Sequence, residues 1–511
     1  MDRDRPHQPI ETVQRIEPAR LENPPESVAD LVAELSSSSA KLGRSLHQRT
    51  AANLAELVRV MNTYYSNLIE GHTTRPRDIE RALAGDFDRD EKRRSLQIEA
   101  AAHVRVQAEI DRIAAEGSLP EPASVEFIRW LHREFYRDAP KTMLRIRGAG
   151  RDFTMIPGEW RSRPMHEVAV GRHIPPSSQH VDEFMRYFAE RYRVDRLGKA
   201  SRVIVMAAAH HRLNFIHPFP DGNGRVSRLM SHAMAWSGDV AAHGLWSVSR
   251  GLARGLENRD EYTQMMDMAD TPRQGDFDGR GNLSERALVD FVAWFLKVAI
   301  DQVTFMSDLF DLNTLARRLR SFIEHHDRLR PEAARLLEEA LIRGEIERGE
   351  APRITGLAER TARRVLNDLV SEGLLASTTS KGPVSLRFPV HALEVLFPRL
   401  YPATTVMDVS RSFDEQLRFA IKNHRLIKLR YHGNVRVAEP HDYGVHNGIE
   451  RVLVYQLTGV HRVRQQSVAG WRLLDVSNIE ECEVLKERFQ GSRGQSHRNH
   501  HVWDIVYARV D

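Results

Sequence analysis

Cysteine is almost absent from this sequence. Cys482 is the only one among 511 residues. A single thiol excludes an internal disulfide, and it excludes a zinc site built from cysteines. This composition suits the reducing environment of the cytoplasm.

Long apolar runs are also missing. No stretch approaches the roughly twenty apolar residues that a membrane span requires. Residues 1–6 are mostly charged and include no apolar segment of the kind found in secretion signals. The sequence therefore predicts a soluble, cytoplasmic protein without a membrane partner.

Neither sign of charge is in marked excess. The 74 basic and 70 acidic side chains give a net charge of +4, which is a poor electrostatic footprint for nucleic acid. Hydrophobic residues make up 41% of the chain, enough to support folded cores. Because 511 residues are too many for one core, we expect three or more domains.

One twelve-residue segment combines several groups that handle phosphate. It runs from His217 to Arg228 and reads His-Pro-Phe-Pro-Asp-Gly-Asn-Gly-Arg-Val-Ser-Arg. Gly222 and Gly224 can adopt positive φ and bring backbone N–H groups close to an anion. A helix predicted to begin near Arg225 directs its positive dipole end at the same place. No Gly-Lys-Ser/Thr follows, so the segment is not a P-loop.

The side chains of this segment fill the remaining roles of a phosphoryl-transfer site. Asp221 is a hard oxygen ligand for a phosphate-bridged Mg²⁺, and Arg225 and Arg228 can reach successive phosphates from one helical face. His217, neutral near pH 7, can accept a proton from an attacking hydroxyl. The alternative is an ordinary glycine-containing loop that opens a helix. That alternative is disfavoured because all the roles are filled at once.

The segment resembles the signature of the Fic family, His-x-Phe-x-(Asp/Glu)-Gly-Asn-Gly-Arg-x-x-Arg. The resemblance implies that His217 is the general base and Asp221 the Mg²⁺ ligand. It implies that Arg225 holds the β-phosphate and Arg228 the γ-phosphate. Members typically transfer AMP from ATP to a Ser, Thr or Tyr hydroxyl of another protein. ATP, Mg²⁺ and an unidentified protein target are therefore implied for this chain.

Further residues take roles from the same resemblance. Asn223, with the amides of Gly222 and Gly224, is expected to cradle the α- and β-phosphates, and Phe219 to be a buried anchor. Asn258 and Tyr262 are expected near the adenine, although a helical tyrosine more often packs in a core.

A shorter motif lies upstream, at Ser66-Asn-Leu-Ile-Glu70-Gly71. Its hydroxyl and carboxylate lie at i and i+4 on one face of a predicted helix that ends at Gly71. Such pairs are usually solvated surface, but with the downstream signature the motif resembles the inhibitory helix of one Fic class. The resemblance implies that Glu70 pairs with Arg228 and blocks the γ-phosphate. It also allows that Glu70 orients a water that removes AMP from a modified target.

Between the two motifs, Val168 and Val170 alternate with other residues and predict a short strand that turns at Gly171. The pattern alone is equally compatible with a plain surface hairpin. The resemblance implies a flap whose edge binds the target segment by strand addition.

Near the N-terminus, a serine tract runs from Ser36 to Ser39 and is expected to separate two helices.

Residues 331–395 predict three helices and a two-stranded wing, which resemble a winged helix-turn-helix. Arg360, Arg363 and Arg364 are the candidates for DNA recognition. Acidic side chains exceed basic ones by one in this segment, so a protein-contact or spacing module is favoured over DNA binding.

The last hundred residues change to the strand period. Strands are predicted at 426–431, 435–437 and 452–457, and a strand with a short helix at 479–489. The order resembles a WYL ligand-sensing domain, with Arg462, Arg464 and Arg472 as candidates for an anionic pocket.

The predicted fold is mainly α: a Fic helical core with a β-hairpin flap, a winged helix-turn-helix, and a small β-rich C-terminal domain. The expected boundaries are an N-terminal arm at 1–40, the core at 41–310 with an inhibitory helix near 62–71, the winged-helix module at 311–400 and the β-rich domain and tail at 401–511. The predicted function is an autoinhibited protein adenylyltransferase. Alternatives are a related transferase using another nucleotide, and a transcription regulator with a Fic sensor domain. The target and the oligomeric state, including a homodimer, stay open.

Overall fold

The computed structural model describes residues 11–72, 74–148, 151–170, 173–326, 328–379, 381–402, 413–431, 434–446, 449–458, 469–476, 479–493, 503 and 505–510. The chain divides into two compact units, Met1–Leu400 and Tyr401–Asp511. The first is mainly helical and the second is built on a β-sheet. The predicted class, mainly α with a smaller β-rich part, is confirmed. In the described part of the chain, no helix is both long and apolar enough to cross a bilayer.

The helices of the first unit follow one another with short connections. In chain order they are α1 (Glu26–Arg44), α2 (Gln48–Ile69), α3 (Pro76–Leu83), α4 (Glu91–Ala115), α5 (Val125–Phe135), α6 (Val181–Arg191), α7 (Lys199–Ile216), α8 (Asn223–Ser237), α9 (Val248–Arg254), α10 (Glu261–Ala269), α11 (Glu285–Leu309), α12 (Leu312–Glu324), α13 (Ala333–Arg343), α14 (Ala351–Thr355), α15 (Glu359–Ser371) and α16 (Val390–Leu396).

Helices α7 and α8 lie at the centre of this unit. They pack against each other, α11 packs on α7, and α4 packs on α8. Ala207, Ala208 and Ala209 of α7 have no exposed surface, and side chains this small let neighbouring helices approach closely. The connection from α7 to α8 carries the 217–228 segment, so this segment is held between two buried helices.

The expected break at the serine tract is absent. Ser36 and Ser39 lie inside α1, which packs on α11. The helix continues because an apolar stripe at helical spacing is buried on its inner face, and this burial outweighs the modest helix propensity of serine. The first α-helix of the described chain therefore begins at Glu26, before the limit of 40 expected for the arm. The stripe comprises Val28, Val32, Leu35 and Leu42.

The β-structure near the flap differs from the prediction. The strand expected around Val168 is reduced to one antiparallel bridge, in which Val170 and His173 exchange N–H···O bonds of 3.0 and 2.9 Å. Pro175 and Pro176 follow closely, and because proline has no N–H they limit any longer ladder. Gly171, the expected turn, lies outside the described residues. A two-stranded hairpin forms upstream instead, from β1 (Arg145–Gly148) and β2 (Arg151–Thr154).

Beyond α12 come three helices and a small sheet. Helices α13, α14 and α15 are followed by β3 (Leu375–Ala376) and β4 (Ser385–Leu386), which pair antiparallel. This is the element order that the sequence predicted for the segment. The assignment to a winged-helix module and the boundaries of the modules stay predictions.

In its described residues, the second unit contains a six-stranded antiparallel sheet and one helix. Its elements are α17 (Phe413–Lys422), β5 (Arg425–Tyr431), β6 (Asn434–His446), β7 (Ile449–Thr458), β8 (Gly470–Asp475), β9 (Ile479–Arg488) and β10 (Ile505–Arg509). The strand order is β8-β7-β6-β5-β9, and β10 pairs with β6. Leu417 and Ile421 of α17 are buried in the same cluster as Ile427 and Leu429 of the sheet.

The structure of the second unit differs from the prediction at its fifth strand, and it describes only one of the three arginines expected in an anionic pocket. The short helix expected within 479–489 is wrong, because β9 pairs with β5 along this whole stretch, from Ile479 to Arg488. Of the arginines proposed for an anionic pocket, Arg462 and Arg464 lie outside the described residues. Arg472 lies in β8.

Candidate active site

The loop between α7 and α8 begins with a strained residue. His217 caps α7 with φ 51° and ψ 60°, in the left-handed region that non-glycine residues rarely adopt. Its N–H still donates to the carbonyl of Leu213 at 2.9 Å. Gly222 ends the loop with φ 81°, and α8 begins at the next residue. Two left-handed residues thus lie at the two ends of the turn that leads from α7 into α8.

A buried arginine holds this turn in place. Arg161 has no exposed surface, and its Nε donates to the carbonyl of His217 at 2.7 Å. Its other nitrogens bond Ile216 O at 3.0 Å, Ser178 Oγ at 3.1 Å and the carbonyl of Pro176. These bonds tie the flap region to the loop. No motif indicated this role.

The imidazole of His217 is kept neutral by its surroundings. Burial, and then the nearby Arg161 guanidinium, lower its pKa to about 4. Both effects disfavour the cationic form. At pH 7 the side chain is therefore able to accept a proton.

Asn223 closes the loop from inside. Its Oδ1 accepts from Phe219 N and its Nδ2 donates to Phe219 O, both at 2.8 Å. The side-chain amide of Asn223 is thus used for two bonds within the loop, and its expected role in cradling phosphates stays a prediction. Phe219 itself is fully buried, as expected for an anchor, between the rings of His132 and Trp160.

His132 of α5 supports the same loop. Its ring stacks on Phe219 with centroids 3.9 Å apart. Its Nδ1 accepts from Gly158 N at 2.8 Å, so Nε2 carries the proton that is donated to the carbonyl of Asp221 at 3.2 Å. Burial lowers the pKa of His132 to about 3. Sequence reasoning missed this residue, which lies 89 positions from its partner.

The second arginine of the segment is paired with the upstream motif. Arg228 is buried, and its Nη2 donates to Glu70 Oε1 at 2.6 Å. Its Nε donates to Ser66 Oγ at 3.0 Å. Helix α2 ends at Ile69, and Glu70 occupies its C-cap. The structure thus brings together the two halves of a pair that the sequence separates by 158 positions.

The Glu70 carboxylate also lies against the loop. A Cβ added at Gly224 would be 2.5 Å from Glu70 Oε1, so only glycine allows this approach. Burial opposes ionisation of Glu70, but the charges of Arg228 and Arg225 outweigh it, and the pKa of Glu70 lies below its usual value. The carboxylate is therefore ionised at neutral pH and occupies space beside the N-terminus of α8.

The first arginine is paired with a carboxylate that no motif indicated. Arg225 is buried, and its Nη1 donates to Glu99 of α4. Its Nη2 is 3.7 Å from Asp221 Oδ1. Burial raises the pKa of Glu99 above its usual value, and the attraction of Arg225 only partly offsets this effect. Burial opposes the charge of Arg225, but its pKa is raised because the surrounding groups, among them the carboxylates of Glu99, Asp221 and Glu70, outweigh the burial.

Asp221 is the most exposed of the charged groups at the loop. Its side chain is 44% exposed, and Oδ1 accepts from Gly222 N at 2.6 Å. Among the described residues, no group of three or more His, Cys, Asp or Glu side chains is arranged to hold a metal.

The two residues expected near an adenine lie in different surroundings. The Tyr262 hydroxyl is 2.9 Å from His210 Nε2, and its ring stacks on Trp294 with centroids 6.2 Å apart. Tyr262 is therefore partly buried among helix residues, and it also interacts with Arg228 and Glu70 of the site. Its place near the adenine stays a prediction. Asn258 is exposed, and its Oδ1 accepts from the backbone N of Asp260 at 3.0 Å, so its side chain is used locally.

Known proteins share this region. Residues 122–235 match the Fic/DOC family. The chain is 38% identical over 77 residues to the protein adenylyltransferase Fic of Drosophila erecta and, to the same extent, to that of Drosophila melanogaster. Each match covers 15% of this chain and 15% of the relative, so the chain spans only a small part of the length of these relatives.

Two solved structures are similar to the chain over part of its length. A Fic domain containing signaling protein from Bacteroides thetaiotaomicron is 20% identical with a TM-score of 0.40, covering 54% of this chain and 95% of that one. A Fic family protein from Desulfovibrio desulfuricans is 16% identical with a TM-score of 0.41, covering 71% of this chain and 97% of that one. The family match includes α5, α7, most of α8 and the whole 217–228 loop.

Proposed function

We propose that the chain is an autoinhibited protein adenylyltransferase that transfers AMP from ATP to a Ser, Thr or Tyr hydroxyl of a target protein. The observation that carries this proposal is the 217–228 loop. There a neutral, half-buried imidazole precedes a helix N-terminus that carries two buried arginines. These are the groups that a phosphoryl-type transfer from a nucleotide requires.

In this proposal His217 accepts the proton of the target hydroxyl while that oxygen attacks the α-phosphorus of ATP. A bond forms between the hydroxyl oxygen and phosphorus, and the bond from phosphorus to the bridging oxygen of the β-phosphate breaks. Pyrophosphate leaves. Arg225 and Arg228 neutralise the charge that grows on the leaving oxygens. The loop holds the nucleotide in line with the hydroxyl.

Asp221 fits the use of Mg²⁺ in this site. A protein often holds Mg²⁺ through one carboxylate while phosphate oxygens and waters complete the shell, and Asp221 offers one partly exposed carboxylate beside the loop. When bound, Mg²⁺ would neutralise phosphate charge. Asp221 would hold it, and the carbonyl of Asp221 is fixed by His132.

Autoinhibition is proposed to come from Glu70. Its carboxylate accepts a hydrogen bond from Arg228, which the proposal assigns to the γ-phosphate. The same carboxylate lies close to Gly224. The same contacts are compatible with a second role for Glu70. Glu70 could orient a water that removes AMP from a modified target, because it lies beside the loop that would hold that AMP.

The test is self-labelling of the purified protein with α-phosphate-labelled ATP. Glu70→Gly is expected to raise incorporation about tenfold or more, since coupling between an inhibitory contact and a ligand is typically 5- to 150-fold. His217→Ala in the same background is expected to abolish it. Competition with unlabelled UTP and GTP distinguishes ATP from another nucleotide donor.

Glu116→Gly is a matched control. Glu116 caps α4 and precedes Gly117 with φ 71°, as Glu70 caps α2 and precedes Gly71 with φ 79°. The control changes the same local structure, but the Glu116 carboxylate is paired with Arg112 of its own helix. Equal labelling by both variants, or labelling that survives His217→Ala, would contradict the proposal.

A further inference from the structure

Tyr136 places a hydroxyl directly against the phosphate loop. The residue caps the C-terminus of α5 and is 2% exposed. A Cβ added at Gly222 would lie 2.9 Å from the hydroxyl oxygen and 2.9 Å from Cε2 of the ring. The phenol therefore occupies the space next to the left-handed glycine that opens α8.

This hydroxyl has no hydrogen-bond partner among the described residues. Buried polar groups in folded proteins nearly always have one. Packing does not require the oxygen either, because the ring already contacts His132 and Phe135, with centroids 4.9 and 5.0 Å away. A phenylalanine would make the same contacts without the cost of desolvating a hydroxyl.

The charges around the hydroxyl are those of the proposed nucleotide site. Tyr136 interacts electrostatically with Arg225, Asp221, Glu99 and Glu70. Burial raises the pKa of the phenol well above its usual value. The group therefore keeps its proton at neutral pH and is available as a donor to an anion.

We propose that the Tyr136 hydroxyl is a further nucleotide-binding group, which donates a hydrogen bond to a phosphate oxygen of the diphosphate held at Gly222 and the N-terminus of α8. The inference rests on the proposed function. Two independent observations support it: an unpartnered, buried donor, and a 15-residue helix whose N-terminus opens at the same glycine.

The test is binding of ADP and of ATP, each with Mg²⁺, to Tyr136→Phe in the Glu70→Gly background, measured by calorimetry. The substitution removes one oxygen and leaves the ring. We expect the Kd for both nucleotides to rise about tenfold, the usual range for a hydrogen bond to a charged group. Binding of adenosine, which has no phosphate, should not change. Thermal unfolding without nucleotide should be unchanged or occur at higher temperature, because no bond is lost.

Tyr192→Phe in the same background is the matched control. Tyr192 is also fully buried, but its hydroxyl donates to the carbonyl of Ala19. Losing that bond should lower the unfolding temperature and leave the Kd for ADP and ATP unchanged. The two tyrosines are thus expected to show opposite patterns of stability and binding.

Three results would overturn the proposal, and the third would overturn the proposed function as well. If Tyr136→Phe binds ADP and ATP as tightly as its parent, the hydroxyl is not a phosphate donor, and the proposed function stands. If it lowers nucleotide-free stability with no effect on binding, the hydroxyl is structural. If the Glu70→Gly parent binds no nucleotide, both this inference and the proposed function fail together.

Discussion

The two arginines of the 217–228 loop each contact a carboxylate, but the two carboxylates occupy different positions in their helices. Glu70 is the C-cap of α2, and the chain turns at Gly71 immediately after it. Glu99 lies inside the 25-residue α4. A residue at a helix end can move away without breaking internal helical hydrogen bonds, whereas a residue within a helix cannot. Glu70 is therefore suited to act as a switch and Glu99 as a fixed counter-charge.

The two pairs also differ in how their surroundings shift the pKa of the carboxylate. The arginines lower the pKa of Glu70 despite its burial, whereas burial raises the pKa of Glu99 despite Arg225. The ionised form of Glu70 thus stabilises the fold, and that of Glu99 costs free energy. Similar contacts have opposite energetic signs because Glu70 is attracted by both arginines, whereas Glu99 has the attraction of Arg225 and the repulsion of Asp221.

The largest expected effect is on nucleotide selectivity. If Arg228 serves the γ-phosphate, Glu70→Gly should tighten ATP binding about thirtyfold, within the usual range of coupling, and change ADP binding much less. If Arg225 serves the β-phosphate, Glu99→Gln should tighten ADP and ATP binding to the same, smaller extent. Calorimetric titration of each variant with Mg²⁺ and either nucleotide gives the four affinities. Identical ATP-to-ADP ratios in the two variants would remove the distinction between the pairs.

The next largest expected effect is on the free energy of unfolding, which should differ between the two pairs. Glu70→Gln is expected to lower the free energy of unfolding by about 1 kcal/mol, because a charged hydrogen bond to Arg228 becomes a neutral one. Glu99→Gln should leave it unchanged or raise it, because a costly buried charge is removed. Urea unfolding of the nucleotide-free proteins measures both values. A clear loss for Glu99→Gln would show that its charge is needed to hold Arg225, against the assignment made here.

How much of the site was predictable depended on the distance between partners in the sequence. His217, Asp221 and Arg228 belong to one short motif, and local chemistry was enough to indicate an anion-binding loop before a helix. Glu70 needed a second motif and a family resemblance to be linked with Arg228. In both cases the signal lay in residue types at fixed spacing.

The supporting residues had no such signal. Glu99 lies in α4, His132 and Tyr136 lie in and at the end of α5, and Arg161 lies between β2 and α6. Each looks like an ordinary helix or loop residue in the sequence. Helical periodicity shows which face of α4 or α5 is buried, but it does not show which residue of another helix that face will meet. Their roles follow from how the helices pack around α7 and α8.

The same limit explains the errors in the fold. Inside α1, the polarity of Ser36 and Ser39 suggested a break, but an apolar stripe buried against α11 maintained the helix. Between 479 and 489, one strand replaced the strand and helix expected, because its partner β5 determines the conformation. Local propensity was overridden by tertiary contacts in both places.

The smallest expected effect is a difference in pH dependence between the two pairs. Because the folded-state pKa of Glu70 is lowered, its contribution to stability is present above the usual glutamate pKa of about 4.3 and is lost as the pH falls below it. The raised pKa of Glu99, which faces Arg225, Asp221 and His72, has the opposite consequence, and stability is lost as the pH rises from about 4.3 through that higher value. Urea unfolding between acid and neutral pH should therefore show the wild type losing its advantage over Glu70→Gln on acidification. Relative to Glu99→Gln, the wild type should lose stability as the pH rises. Parallel curves for the two variants would mean that Glu70 and Glu99 have the same electrostatic environment, and the proposed division between switch and counter-charge would be wrong.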